Sequence, residues 1–126
     1  MNPKVLLVED EKNIILGVRT CLDAVGYQVH VVEDGEQALE YIRTQKPDLV
    51  LLDLMLPKVD GFEVLNTIKK GEATKHIPVI VLTAKVSQED QKRAKDLGAD
   101  FYMTKPFRPQ ELWDKIKNFL PEADFS

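Results

Sequence analysis

The chain has 126 residues, enough for one domain of ordinary size and too few for two. Apolar residues make up 44% of it and charged residues 30%, which excludes the disordered, collagenous and membrane-embedded classes. Lys plus Arg number 17 against 21 Asp plus Glu, for a formal net charge of -4, so no surplus of positive charge marks the domain as a direct nucleic-acid binder. The single cysteine, Cys21, excludes an internal disulfide and a cysteine-built zinc site. Met1-Asn2-Pro3-Lys4 leads into a strand-like segment without a signal-peptide apolar region. The longest apolar stretch, Leu49 to Leu56, is interrupted by Asp53 and is far too short to span a bilayer. The expected compartment is the cytoplasm, with no membrane anchor.

In chain order, short β-branched and leucine-rich runs alternate with stretches of helical spacing. The predicted strands are Val5 to Val8, Gln28 to Val32, Leu49 to Leu52, Val79 to Leu82 and Phe101 to Met103. After the first comes a helix with Ile14, Val18, Leu22 and Val25 on its inner face, and after the second one with Ala38, Leu39 and Ile42. Asp60 with Glu63 reads as a capping pair before a third helix faced by Phe62, Leu65 and Ile68. Ser87 caps a fourth, Gln88 to Leu97, whose inward residues are Gln91, Ala94 and Leu97. So sparse an apolar face predicts the least firmly packed helix. Pro109 opens the fifth, which carries Leu112, Trp113, Ile116, Phe119 and Leu120, while Gly26 and Gly98 end helices one and four as left-handed caps. Nearly unbroken apolar residues in strands three and four require helices on both faces and a parallel sheet. The fold class is therefore α/β, an open doubly wound five-stranded parallel sheet with right-handed crossovers. Residues 1–120 form the domain, and 121–126, lacking periodicity, form a C-terminal tail or the start of a linker.

Ligands of such a sheet bind at the carboxyl ends of its strands, and the polar residues there share one chemistry. Strand one ends in Glu9-Asp10-Glu11, strand three in Asp53, strand four in Thr83, and Thr104-Lys105-Pro106 follows strand five. An acid inside an apolar run is costly unless paired, coordinated or at the open end of its strand, and Asp60 already supplies the cap before helix three. Glu9 and Asp10 taken alone read more readily as caps of helix one. Together with Asp53 they make a hard-oxygen cluster suited to Mg²⁺, which binds through a few carboxylates and a phosphate and keeps its waters. The Lys105 ammonium and Thr83 hydroxyl suit the oxygens of a phosphoryl group opposite that cation. His30 and His76 fall outside the cluster and read as structural.

These residues resemble the receiver domain of response regulators, the phosphoacceptor module of two-component signalling, from about Lys4 to Leu120. The carriers are Val5-Leu6-Leu7-Val8-Glu9-Asp10-Glu11, the run Pro47 to Pro57 with Asp60-Gly61, Pro78-Val79-Ile80-Val81-Leu82-Thr83-Ala84, and Gly98 to Phe107. The resemblance implies the flavodoxin-like strand order 2-1-3-4-5. It implies that Asp53 accepts a phosphoryl group from a sensor histidine kinase or phosphotransfer protein, with Mg²⁺ held by Glu9, Asp10, Asp53 and the Met55 backbone carbonyl. Two aspartates are common at the first acidic pair, whereas here Glu9 precedes Asp10, which leaves contact through water open beside direct ligation. Thr83, Ala84 and Lys105 would bind the phosphate, Thr83 and Tyr102 would form the switch, and the Lys105-Pro106 bond would be cis. The readout would be a population shift in helix four, strand five and helix five, acting on an effector protein or attached output domain and possible as a homodimer surface. The chain would be a phosphoacceptor that catalyses its own phosphotransfer and slow dephosphorylation, not a turnover enzyme.

Competing readings separate on particular residues. An aspartyl Mg²⁺-dependent phosphatase needs a second acid two residues past its nucleophile, where this chain has Met55, which transfers no proton. Met55 and Val86 together suggest that little positions a hydrolytic water, so that the phosphoryl group is long-lived. A nucleotide- or flavin-binding module needs a glycine-rich phosphate cradle, and strand one leads instead into Glu-Asp-Glu-Lys-Asn. A degenerate receiver that docks partners without phosphorylation is the remaining alternative.

Overall fold

All five apolar runs become strands of one sheet in the computed structural model, which describes residues 2–85 and 87–120. They are β1 (Lys4–Val8), β2 (Gln28–Val32), β3 (Leu49–Leu52), β4 (Val79–Thr83) and β5 (Phe101–Thr104), alternating with α1 (Lys12–Ala24), α2 (Gly35–Gln45), α3 (Gly61–Lys70), α4 (Gln88–Asp96) and α5 (Pro109–Ile116). Their order is β2-β1-β3-β4-β5 and every neighbouring pair is parallel, the doubly wound arrangement expected. The expectation that residues 121–126 form a tail falls outside the described residues.

The period of two along each strand sends alternate residues to opposite faces. Leu6, Val8, Val50, Leu52, Val79 and Val81 pack against α2, α3 and α4 through Ala38, Ile42, Phe62, Leu65, Ile68 and Ala94. Val5, Leu7, Leu49, Leu51, Ile80 and Leu82 pack against α1 and α5 through Val18, Leu22, Leu112 and Ile116. Strands β3 and β4 are buried along their whole length, which is why they read as continuous apolar runs. Edge strand β2 is half-exposed, and its His30 stacks on Tyr41 with ring centroids 4.3 Å apart.

The helix ends follow their expected chemistry. Ser87 accepts from the Asp90 N–H at 3.1 Å, Asp60 accepts from the Phe62 N–H at 2.7 Å, and Pro109 opens α5. Gly26 and Gly98 adopt φ of 90° and 105°, where a side chain would be strained. One expectation is corrected: Gln91 is exposed rather than inward, leaving Ala94 as the buried residue of α4, with Leu97 half-buried just beyond its end. Glutamine gains nothing from a face so thinly covered, whereas Ala94 fits under the helix. The guanidinium of Arg93, 4.0 Å from the Phe62 ring centroid, holds the helix from its rim. Among the described residues no helix is long and apolar enough to cross a membrane.

Candidate functional site

The strand order reverses between β2 and β3 around β1, and the carboxyl ends of β1 and β3 meet there. Register places Val8 beside Leu52, so the residues that follow, Glu9 and Asp53, arrive side by side. Asp53 is tied to β1 by its N–H, which donates to the Val8 carbonyl at 3.0 Å. Ligand atoms of Glu9, Asp10 and Asp53 all lie within 4.8 Å of one another, Glu9 and Asp53 buried and Asp10 exposed. Neither Glu9 nor Asp10 caps α1, whose N-cap is Glu11. With the capping reading gone, both acids are free for the cluster. Neither histidine belongs to it.

Lys105, carried over the site after β5, closes the far side. Its Nζ lies 2.7 Å from Glu9 Oε1, 3.1 Å from Asp53 Oδ2 and 3.6 Å from Glu11 Oε2. The Lys105–Pro106 peptide is cis, and the Lys105 N–H donates to the Thr83 carbonyl at 2.9 Å, so the lysine is fixed to the end of β4. Burial pulls its ammonium down, but Glu9 and the Asp53 charge outweigh that and hold its pKa above the usual lysine value. Burial pushes the Glu9 carboxyl up from 4.5, against the opposing pull of Lys105. Glu9 Oε2 accepts from the Asp10 and Glu11 N–H groups, each at 3.1 Å. Oε1 meets Lys105 off the direction a hydrogen bond needs and is buried without a hydrogen-bond partner.

The rest of the predicted set converges on the same place. Asp53 Oδ1 accepts from the Met55 N–H at 3.0 Å, which turns the chain out of β3 and leaves the Met55 side chain 56% exposed. Thr83, fully buried at the last position of β4, accepts through Oγ1 from the Lys85 N–H at 3.3 Å. Ala84 is exposed and lines, with Lys105 and Phe107, a cleft of about 360 Å³ beside the site. The Tyr102 hydroxyl donates to the Lys85 carbonyl at 2.7 Å, so Lys85 joins Thr83 to Tyr102 through its backbone. Val86 lies outside the described residues. A larger cavity, about 1550 Å³ along β2, α2 and α3, contains none of these groups.

Sequence reasoning placed Glu11 at the strand end without giving it a role, and passed over Asp34. Glu11 approaches Lys105 as a third acid. Asp34 is 7% exposed and caps α2 by accepting from the Gln37 N–H at 2.8 Å; an Asp-Gly before a helical pattern was its legible signal.

A five-stranded parallel sheet of this order, with an acidic cluster and a lysine at its carboxyl edge, defines a phosphoacceptor module of two-component signalling. Residues 5–117 match the response regulator receiver domain, and the chain belongs to that family. It is 41% identical over its whole length to the alkaline phosphatase synthesis transcriptional regulatory protein PhoP of Bacillus subtilis, of which it covers 52%. The chain thus spans about half the length of the curated relatives it matches. Among solved structures it is similar to the phosphorylated cyanobacterial phytochrome response regulator RcpA, with TM-score 0.83 and 37% identity over 94% of this chain and 91% of that one. It also resembles the receiver domain of the Pseudomonas aeruginosa histidine kinase PA1611, which has a magnesium ion coordinated in its active-site cleft, with TM-score 0.85 and 32% identity over 94% of this chain and 98% of that one.

Proposed function

We propose that Asp53 accepts a phosphoryl group from the phosphohistidine of a sensor histidine kinase or phosphotransfer protein, and that the receiver then switches its α4-β5-α5 face. The observation that carries this reading is the position of Asp53, 4% exposed at the tip of β3, within 4.8 Å of Glu9 and Asp10 and 3.1 Å from Lys105. The donor set suits Mg²⁺: three carboxylates, one exposed to solvent, and a buried Glu9 oxygen without a hydrogen-bond partner. Glu9, Asp10, Asp53 and the Met55 carbonyl would hold the ion, which when bound supplies positive charge to the transferring oxygens.

The protein groups do the rest by positioning. A carboxylate oxygen of Asp53 attacks phosphorus, the nitrogen–phosphorus bond breaks, and its electron pair returns to the imidazole. Lys105, kept protonated by its acidic neighbours, stabilises the charge on the phosphoryl oxygens, with Thr83 and Ala84 as further contacts. Thr83 Oγ1 accepts from the Lys85 N–H and has its hydroxyl proton to donate to the phosphoryl group, so a shift of Thr83 toward that group pulls on the Lys85 N–H. That movement disturbs the backbone to which Tyr102 is tied, which gives the phosphorylated state different contacts from the free one, as a population shift requires. Dephosphorylation is slow in this reading, since the exposed Met55 thioether offers no group to orient a water.

Residues 1–120 act as the receiver, in the cytoplasm, on an effector that is separate or attached, with the α4-β5-α5 face as a homodimer surface. The complete acidic set and its lysine favour phosphotransfer over a docking role without it. Intact mass after incubation with acetyl phosphate tests this: a gain of one phosphoryl group that requires Mg²⁺ and is abolished in Asp53→Asn is expected. No gain, together with no Mg²⁺ binding, would leave the docking module.

A further inference from the structure

The loop between β3 and α3 carries Met55 and is folded over the N-terminus of α2 in a costly way. Val59 N–H donates to the Pro57 carbonyl at 2.9 Å, a three-residue turn that sets Lys58, a side-chain-bearing residue, at φ 68°. Such a conformation persists only where its surroundings hold it. Here the Lys58 Nζ lies 3.6 Å from Asp34 Oδ2 and 4.0 Å from Glu36 Oε2, while the Gly35 N–H donates to the Pro57 carbonyl at 3.4 Å. A lysine at a helix N-terminus opposes the helix dipole, so its stay there depends on those two acids. Gly35 admits the loop, because a Cβ at that position would meet the Val59 carbonyl oxygen at 2.5 Å. Asp34 is anchored in turn, its other oxygen capping α2.

We infer that Lys58 and Asp34 are positioning residues that set the Met55 carbonyl toward the acidic cluster. This rests on the proposed role of that carbonyl as a Mg²⁺ ligand. Only Leu56 and Pro57 separate Met55 from Lys58, and the proline ring removes much of the freedom by which the link could absorb movement. At its near end the loop is held by the Met55 N–H on Asp53, so the clip at Lys58 is the second point that fixes its course. The α2 N-terminus thereby takes part in metal binding without touching the ion.

The test is a MgCl₂ titration followed by the amide resonances of Met55 and Asp53 in the native chain, Lys58→Ala, Asp34→Asn, the double variant and Lys58→Arg, with metal-free melting recorded for each. Alanine keeps the positive-φ demand and removes the charge, and asparagine keeps the cap. Each single variant is expected to raise the Mg²⁺ Kd about threefold, the scale of one partly exposed ion pair. The double variant should add nothing further, and Lys58→Arg should bind like the native chain. An unchanged Kd, additive effects, or a lower melting temperature with no change in Kd would overturn the clip. If the native chain shows no Mg²⁺ shift at Met55 that Asp53→Asn removes, the metal reading itself fails and takes this inference with it.

Discussion

Replacing Lys105 by methionine keeps most of the aliphatic stem and removes the ammonium that faces both Glu9, fully buried, and Asp53, nearly so. At an effective dielectric of about 20, contacts of 2.7 and 3.1 Å correspond to gross attractions of about 6 and about 5 kcal/mol. Much of that offsets the desolvation of the lysine, and breaking a buried pair of this kind costs about 3–5 kcal/mol net. We expect the lower end, about 3 kcal/mol at pH 7.5 without metal, because Glu9 can relieve the repulsion by taking up a proton. The sign of the pH dependence follows from the raised Glu9 carboxyl. Its contribution is fully present below 4.5 and is lost as pH rises through the higher folded value. Without Lys105, which lowers that folded value, the loss extends to higher pH, so the gap between variant and native widens as pH rises and is smaller at pH 5.5 than at pH 7.5. Urea unfolding in EDTA at the two pH values measures it, a loss of 3 kcal/mol moving the midpoint by about 1.5 M. A loss that is the same at both pH values would refute the view that Lys105 neutralises buried, ionised carboxylates.

Glu9→Gln should flatten the metal-free melting profile between pH 4.5 and neutrality, since a neutral isostere has no ionisation to penalise; a profile parallel to the native one would contradict this. Ser87→Ala removes the bond to the Asp90 N–H and should cost about 1 kcal/mol, seen as faster amide exchange across α4 while β3 and β4 keep their protection. Tyr102→Phe leaves the Lys85 carbonyl without its hydroxyl donor and should lower stability by about 1 kcal/mol in urea; an unchanged midpoint would show that water replaces the hydroxyl freely.

The sheet, its order and the acidic site were largely legible because each rests on a local pattern with a strong physical cause. Unbroken runs such as Val79 to Leu82 exist only where both faces are covered, and Asp53 stands out because an acid in such a run needs a partner. The less legible parts depend on neighbours that periodicity cannot name. Gln91 fell at a helical spacing that counts as inward, yet the surface beneath α4 is closed by Arg93 over Phe62 and by Ala94 alone. Glu9 and Asp10 taken alone looked more like caps than ligands; Asp53 tipped the reading, and the start of α1 at Lys12, with Glu11 as its N-cap, removes the capping role. Asp34 and Lys58 lie 24 positions apart in the chain, and a contact between a helix cap and a distant loop leaves no mark on either segment.

Among the described residues the buried side chains fall into two apolar layers on opposite faces of the sheet, with Leu6 and Val8 serving one and Val5 and Leu7 the other. Substitutions in separate layers should therefore combine almost independently. The proposed α4-β5-α5 face draws Ala94 of α4 from one layer and Leu112 and Ile116 of α5 from the other. Core changes beneath α1 or beneath α2 and α3 can therefore accumulate on one side alone, whereas that face has to keep both layers in step across β5.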